Sequence, residues 1–291
     1  MQSSENPYEM ALARIRKLKD AKPELRPLLD YYDAVLRAQG EAKAAFHPDL
    51  TAVDIELCRN RAAAGRPLLE PGDVKLDWDA FDDLFDGISR ISQERAKAAG
   101  SADPWPSTAG RGPEWHDGLL EGLLEDEALL EGPAGRAGVP LDKFTFLACQ
   151  ALAPFLESYA DGMRQSVDRS AWARGCCPVC GGEPLMGRLE EETGKRFLQC
   201  HLCRTQWPFP RLECPFCGSD DQQSLRYFYD EEDPACRVEV CDLCKAYLKT
   251  VDARRTDREI SLLAENVATS HLDLVARREG FQRNTNRLLG L

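Results

Sequence analysis

The chain has little histidine and little methionine, four of each in 291 residues, and no long apolar run. His47, His116, His201 and His271 are scattered, so no helical pair of histidines is available for a zinc-hydrolase centre. A glycine-rich phosphate loop and a nucleophile elbow are also missing, so no ordinary catalytic machinery is legible and the chain reads as a non-enzyme. No apolar stretch approaches the length of a membrane span, which predicts no stable membrane insertion. The opening Met1-Gln2-Ser3-Ser4-Glu5-Asn6 lacks a basic region followed by an apolar one, so a cytoplasmic location is expected. Positive charge is scarce too. The net charge is −12, and Ala171 to Arg255 carries 14 acids against 12 bases without a basic stripe. Nucleic-acid binding draws on clustered Lys and Arg against phosphate, so no nucleic-acid partner is expected.

Cysteine is abundant instead. Eight of twelve fall into four pairs: Cys177-Pro178-Val179-Cys180, Cys200-His201-Leu202-Cys203, Cys214-Pro215-Phe216-Cys217 and Cys241-Asp242-Leu243-Cys244. Gaps of 19, 10 and 23 residues separate successive pairs. Two intervening residues let a tight turn aim both thiolates at one point. Two such turns complete a tetrahedral cage for zinc, or for iron in a rubredoxin-type site. Gly181 and Gly218 follow the second cysteine of their pairs and permit a positive φ, which lets backbone amides face the sulfurs. Arg204 and Lys245 stand at the matching places of the other two pairs, so the halves of each site are expected to differ. The rhythm predicts two metal ions per chain. Lobes this short need such a staple to fold, and an oxidising compartment that would favour disulfides is not indicated.

Upstream, apolar residues recur at helical spacing. Helices are predicted over Glu9–Lys19, Glu24–Phe46, from Asp49 through Ala63, from Asp77 or Asp79 to about Ala99, over Glu114–Leu130 and over Leu141–Met163. Gly132-Pro133-Ala134-Gly135 divides the last two, and Pro154 lies inside the final one. Asp168–Gly175 reads as a linker, with Trp172 packing against neighbours. Short strand-like runs alternate with the cysteine turns, and one helix is expected from Asp257 to about Glu279. The fold class is therefore α+β: an all-α N-terminal domain, two tandem rubredoxin-like or zinc-ribbon modules, and a C-terminal helix. The expected boundaries are 1–167 (helical), 168–211 (first module), 212–255 (second module) and 256–291 (C-terminal helix and tail).

Several segments together carry a resemblance. They are Cys177-Pro178-Val179-Cys180-Gly181, Gln199-Cys200-His201-Leu202-Cys203 with Trp207, and Glu239-Val240-Cys241-Asp242-Leu243-Cys244 followed by Tyr247-Leu248-Lys249. Leu272-Asp273-Leu274 with Glu279-Gly280-Phe281 completes the set. The chain resembles the formate dehydrogenase accessory protein FdhE family, over about Trp172 to Phe281. The resemblance implies a cytoplasmic maturation factor, not an enzyme, that binds the catalytic subunit of respiratory formate dehydrogenase before twin-arginine export. It implies rubredoxin-like sites with iron as the favoured metal; zinc stays open, because rubredoxin has Gly after both pairs of its site and this chain has it after one. By motif match, Cys177, Cys180, Cys200 and Cys203 would hold one ion, and Cys214, Cys217, Cys241 and Cys244 the other. Nested and crossed pairings are alternatives that need longer excursions.

Two other readings compete: a redox iron protein that transfers electrons or sulfur to its client, and a nucleic-acid-binding zinc ribbon. The sequence is compatible with a homodimer and does not demand one. His201 is expected on a solvent-facing turn and His271 on a helix surface. Cys176 is read as an unligated neighbour, Cys58 and Cys149 as small core residues, and Cys236 has no assigned role.

Overall fold

The computed structural model describes residues 6–101, 105–106, 113–163, 172–230 and 232–283. The linker expected over 168–175 lies outside the described residues up to position 171. The chain forms two compact units; of the described residues, 6–29, 172–178 and 182–283 lie in one, and 30–101, 105–106, 113–163 and 179–181 in the other.

The second unit is helical. Helix α2 (Arg26–Ala45) runs into it, followed by α3 (Ile55–Ala63), α4 (Trp78–Ala98), α5 (Leu119–Leu124), α6 (Glu131–Ala137) and α7 (Leu141–Gly162). Asp77 starts α4, accepting from the amide of Ala80, but Asp49, expected to open the helix through Ala63, caps only a 3₁₀ turn (Leu50–Ala52), and α3 starts instead at Asp54, which accepts from the amides of Glu56 and Leu57. On α4, Phe81, Leu84, Phe85 and Ile88 form one buried stripe at helical spacing. They join Trp115, Phe144, Phe155 and Tyr159 in an aromatic core. The Tyr159 hydroxyl is satisfied inside it, accepting from Lys75 N at 2.8 Å and donating to Lys75 O at 3.0 Å.

The Leu-rich helix expected over Glu114–Leu130 is broken. A 3₁₀ turn (Pro113–His116) precedes α5, and Asp126 caps a further 3₁₀ turn (Glu127–Leu130). Gly118 is left-handed (φ 75°), and Leu130 packs so closely on Gly122 that a Cβ there would lie 2.5 Å from its Cδ2. The Gly132–Gly135 segment, expected to separate helices, lies inside α6. Pro133 falls in its first turn, where no amide hydrogen bond is lost.

The first unit is built on one sheet of six strands: β1 (Pro184–Leu189), β2 (Arg196–Cys200), β3 (Gln206–Pro208), β4 (Leu225–Tyr229), β5 (Cys236–Cys241) and β6 (Tyr247–Asp252). Their spatial order is β3-β2-β1-β6-β5-β4. Each half is an antiparallel three-strand ribbon, and the two ribbons fuse through a parallel seam pairing Gly187 with Thr250 and Leu189 with Asp252. The tandem modules thus share a continuous sheet. Helix α1 (Pro7–Ala21) belongs to this unit and buries Tyr8, Ala11, Ile15 and Leu18. Its Arg14 reaches Glu265 at 2.8 Å.

The single C-terminal helix expected from Asp257 is instead two short ones, α8 (Leu262–Ala268) and α9 (Ser270–Arg278). Thr269 interrupts them. Its hydroxyl donates back to Glu265 O at 2.7 Å, and its carbonyl accepts from Lys249 Nζ at 3.3 Å. Lys249, on β6, also donates to Asn266 O at 2.7 Å, so a buried ammonium satisfies carbonyls at the end of α8.

Gly175 supports the fused arrangement. A Cβ on it would fall 1.7 Å from the carbonyl oxygen of Pro215, in the third cysteine turn. Backbone cannot move aside as a side-chain tip can. Gly175→Ala is therefore expected to lower the unfolding free energy by about 1–3 kcal/mol, the usual range for overpacking. Urea denaturation reads this directly, and an unchanged midpoint would show that the loop accommodates a methyl group.

Candidate metal centres

All four cysteine turns have the same backbone. The amide of each first cysteine donates to the carbonyl five residues on: Cys177 to Gly182 at 2.8 Å, Cys200 to Thr205 at 2.9 Å, Cys214 to Ser219 at 2.8 Å and Cys241 to Ala246 at 3.0 Å. The residue after each second cysteine is left-handed, with φ of 74° at Gly181, 55° at Arg204, 72° at Gly218 and 59° at Lys245. The expected inequivalence of the halves is therefore absent from the backbone. The turn geometry overrides the local preference of Arg204 and Lys245, which hold a conformation normally left to glycine. Lys245 is exposed, so Lys245→Gly removes that strain at little other expense. A gain of up to about 1 kcal/mol is expected in thermal unfolding. A loss would show that the Lys245–Asp242 contact, 3.2 Å, outweighs the strain.

These turns bring the eight cysteines into two groups, Cys177/Cys180/Cys200/Cys203 and Cys214/Cys217/Cys241/Cys244. Within each, the sulfurs lie within 4.8 Å of one another. The sequential arrangement is the one formed. Cys177 and Cys203 sulfurs are 3.4 Å apart, and Cys214–Cys244 and Cys217–Cys241 are each 3.7 Å apart. A disulfide needs about 2.05 Å, and none of the twelve cysteines is in a disulfide. A tetrahedron with metal–sulfur bonds of about 2.3 Å has edges of about 3.8 Å. The donor sets therefore fit a tetrathiolate ion, and each group can hold one.

The surroundings act on the sulfurs in both directions. Leu202 N donates to Cys200 Sγ at 3.3 Å, and the Thr205 hydroxyl lies 3.1 Å from Cys203 Sγ. In the second group burial pushes the Cys214 thiol up. At Cys241 burial acts the same way, but the amides of Cys244 and Leu243 outweigh it and bring the thiol down. The groups differ in access: every cysteine of the first is buried, whereas Cys217 and Cys244 of the second are exposed.

His201 is not on a solvent-facing turn. It is buried, with its amide and its Nδ1 each 3.0 Å from Glu183 O. His271 lies on α9, partly exposed and 2.9 Å from Asp230. Cys176 stands beside the first group rather than in it, and its carbonyl accepts from Trp172 Nε1 at 2.8 Å. Cys58 and Cys149 are buried core residues.

A third gathering, Asp233, Cys236 and Glu265, already contains its cation. Arg258 lies 2.6 Å from Asp233, 3.3 Å from the Cys236 sulfur and 3.2 Å from Glu265. Burial, with Asp233 and Glu265 beside it, pushes the Cys236 thiol up to about 12, so it stays protonated. The sequence carried no sign of this cluster, because its members come from a hairpin turn, the start of β5, the loop before α8 and α8 itself.

Fold and site together define a helical protein carrying a double four-cysteine ribbon. The same conclusion comes from comparison with known proteins. Residues 176–211 match the family model described as FdhE, central domain, and 212–289 match FdhE, C-terminal domain. A protein FdhE homolog of Aquifex aeolicus is 27% identical over 288 residues, covering 97% of this chain and 95% of that one. Protein FdhE of Escherichia coli K12 is 35% identical over 112 residues, 38% of this chain and 35% of its own length. The crystal structure of the FdhE protein from Pseudomonas aeruginosa superposes with a TM-score of 0.62 at 23% identity, covering 100% of this chain and 98% of that one, and so shares the fold. The chain therefore matches the FdhE models over residues 176–289 and is similar to an FdhE homolog along nearly its whole length. Among the described residues no helix is long and apolar enough to cross a membrane.

Proposed function

We propose that this chain is an accessory protein for the maturation of respiratory formate dehydrogenase, binding the catalytic subunit in the cytoplasm before twin-arginine export. The match of residues 176–289 to the two FdhE models carries the reading. The two cysteine groups, built into one sheet, supply its rigid platform. Cys177, Cys180, Cys200 and Cys203 hold one ion and Cys214, Cys217, Cys241 and Cys244 the other, with iron favoured over zinc. A tetrathiolate iron ion supplies one-electron chemistry without changing its ligands. The role is that of a binding partner and not of an enzyme, and it needs neither nucleic acid nor membrane insertion.

Affinity-tagged full-length protein, purified without oxygen, should retain the catalytic subunit from its own cytoplasm, and a strain lacking the gene should lose formate oxidation. Normal formate oxidation in that strain would overturn the reading. Equal retention of a client without its export signal would place the contact on the folded subunit instead of the signal.

One observation favours a second reading, in which the second centre exchanges electrons or sulfur with the client: Cys217 and Cys244 are exposed. Zinc-loaded protein that fully restores client activity would remove it.

A further inference from the structure

Beside the second cysteine group, the fused sheet carries a cleft of about 360 Å³. Its floor is formed by Arg237 and Glu239 of β5 with Arg196 of β2, and its wall by Tyr227 and Tyr229 of the edge strand β4. Six arginines line it against three acids, Glu213, Glu239 and Asp252. This local excess of positive charge lies in a chain of net charge −12.

The arginines are incompletely neutralised. On the floor two guanidiniums share one carboxylate: Arg196 reaches Glu239 at 2.9 Å and Arg237 reaches it at 2.5 Å, all three side chains being largely buried. Arg196 is 4% exposed; its Nη2 donates to the carbonyls of Pro210 and Glu213, and among the described residues its Nε has no hydrogen-bond partner. At the mouth, Arg254 is held by Asp252 at 2.7 Å and Arg226 by Asp242 at 2.6 Å. Among the described residues no carboxylate pairs with Arg211 or Arg255, both exposed. Buried cation excess of this kind is relieved by an anion, and guanidiniums fit phosphate oxygens in a bidentate manner.

The wall adds a second chemistry. Tyr227 and Tyr229 are 54% and 39% exposed and meet edge to face at 5.2 Å. Arg237 lies 4.9 Å from the Tyr227 ring centre and Arg255 4.6 Å from that of Tyr229. Exposed rings braced by guanidiniums are stacking surfaces for a planar group. The volume is that of a small-molecule site, and the acidity of the rest of the chain opposes a long polyanion.

We propose that this cleft binds a small phosphate monoester bearing a planar ring, of mononucleotide class. The proposal does not rest on the accessory function proposed above.

Titration calorimetry on the full chain, purified without oxygen, tests this with AMP, GMP, ribose 5-phosphate, adenosine and inorganic phosphate as probes. AMP or GMP is expected to bind below about 1 mM, and at least about tenfold (about 1.4 kcal/mol) more tightly than the probes lacking ring or phosphate. Arg211→Ala, Arg255→Ala and Tyr229→Ala alter exposed side chains and should each weaken mononucleotide binding about fivefold or more with unchanged circular dichroism. Rising salt should weaken it as well. No mononucleotide binding at about 1 mM, or binding indifferent to all three substitutions, overturns the proposal. Ribose 5-phosphate or inorganic phosphate binding as tightly as AMP overturns the assignment of a ring-bearing ligand. Preferential binding of an acidic peptide or an oligonucleotide overturns the small-molecule class.

Discussion

Replacing Cys203 with serine is expected to remove one of two metal ions per chain and to unravel the first ribbon. All four sulfurs of that group are buried, so the substitution leaves three thiolates without their full cation in a site that water does not reach. The ribbon has little else to hold it. Its strands are three to six residues long, and β3 is the edge of the sheet. Metal binding supplies about 10–16 kcal/mol of folding free energy in comparable peptides, so losing the ion exceeds what a small lobe can spare. Metal content per chain and limited proteolysis report the two effects together. Cys244→Ser is the informative contrast. It should also lose one ion, but with a smaller loss of stability, because Cys244 and Cys217 face solvent and their unpaired thiols can be hydrated. Retention of two ions by Cys203→Ser would remove that residue from the ligand set.

Asp273→Ala is expected to destabilise the chain by about 3–5 kcal/mol, the range for removing one partner from a buried charge cluster. Asp273 accepts from Lys249 Nζ at 2.6 Å, Tyr247 Oη at 2.8 Å and Arg283 Nη2 at 3.0 Å. Its loss leaves two buried cations with no carboxylate. The same group sets an acid limit. Burial alone would raise the Asp273 carboxyl, but Lys249 and Arg283 outweigh it and hold it below the usual range. The unfolded chain binds this proton near about pH 3.9. The contribution is therefore complete above that value and is lost as pH falls through the lower folded one. Urea unfolding from pH 7 down to pH 3 should show wild type losing stability at the acid end, with a shallower slope in Asp273→Asn. Equal slopes would assign the acid sensitivity to other carboxylates.

Much of the site could be read in one dimension, because a metal turn is a local object. Two residues between cysteines fix where both sulfurs point, and four such pairs announce two cages. Helix α4 also followed a local rule, with the Asp77 cap preceding a periodic apolar stripe, whereas the helix expected from Asp49 starts at Asp54. Reading failed where a distant contact decided. Leu130 against Gly122 breaks the Leu-rich helix, and Lys249 reaching Asn266 and Thr269 from β6 fixes the break between α8 and α9. Arg204 and Lys245 misled in the opposite way: their side chains argue against a left-handed backbone that metal-turn closure imposes. His201 seemed destined for solvent because it sits in a turn, yet that turn faces Glu183 and is covered.

By itself the sequence determined the class of protein: a helical half, eight paired cysteines in two sets of four, and a composition without catalytic motifs or a basic stripe. Those properties depend on residue type and on spacings of a few positions. Only the tertiary structure decided that the two ribbons share one sheet through the β1–β6 seam, and that one cysteine group is buried while the other meets solvent. It also decided that Arg196, Arg237 and Glu239 meet beside Tyr227 and Tyr229. Each of these joins residues tens of positions apart. Burial and charge pairing follow from which strands become neighbours, and no local propensity carries that information.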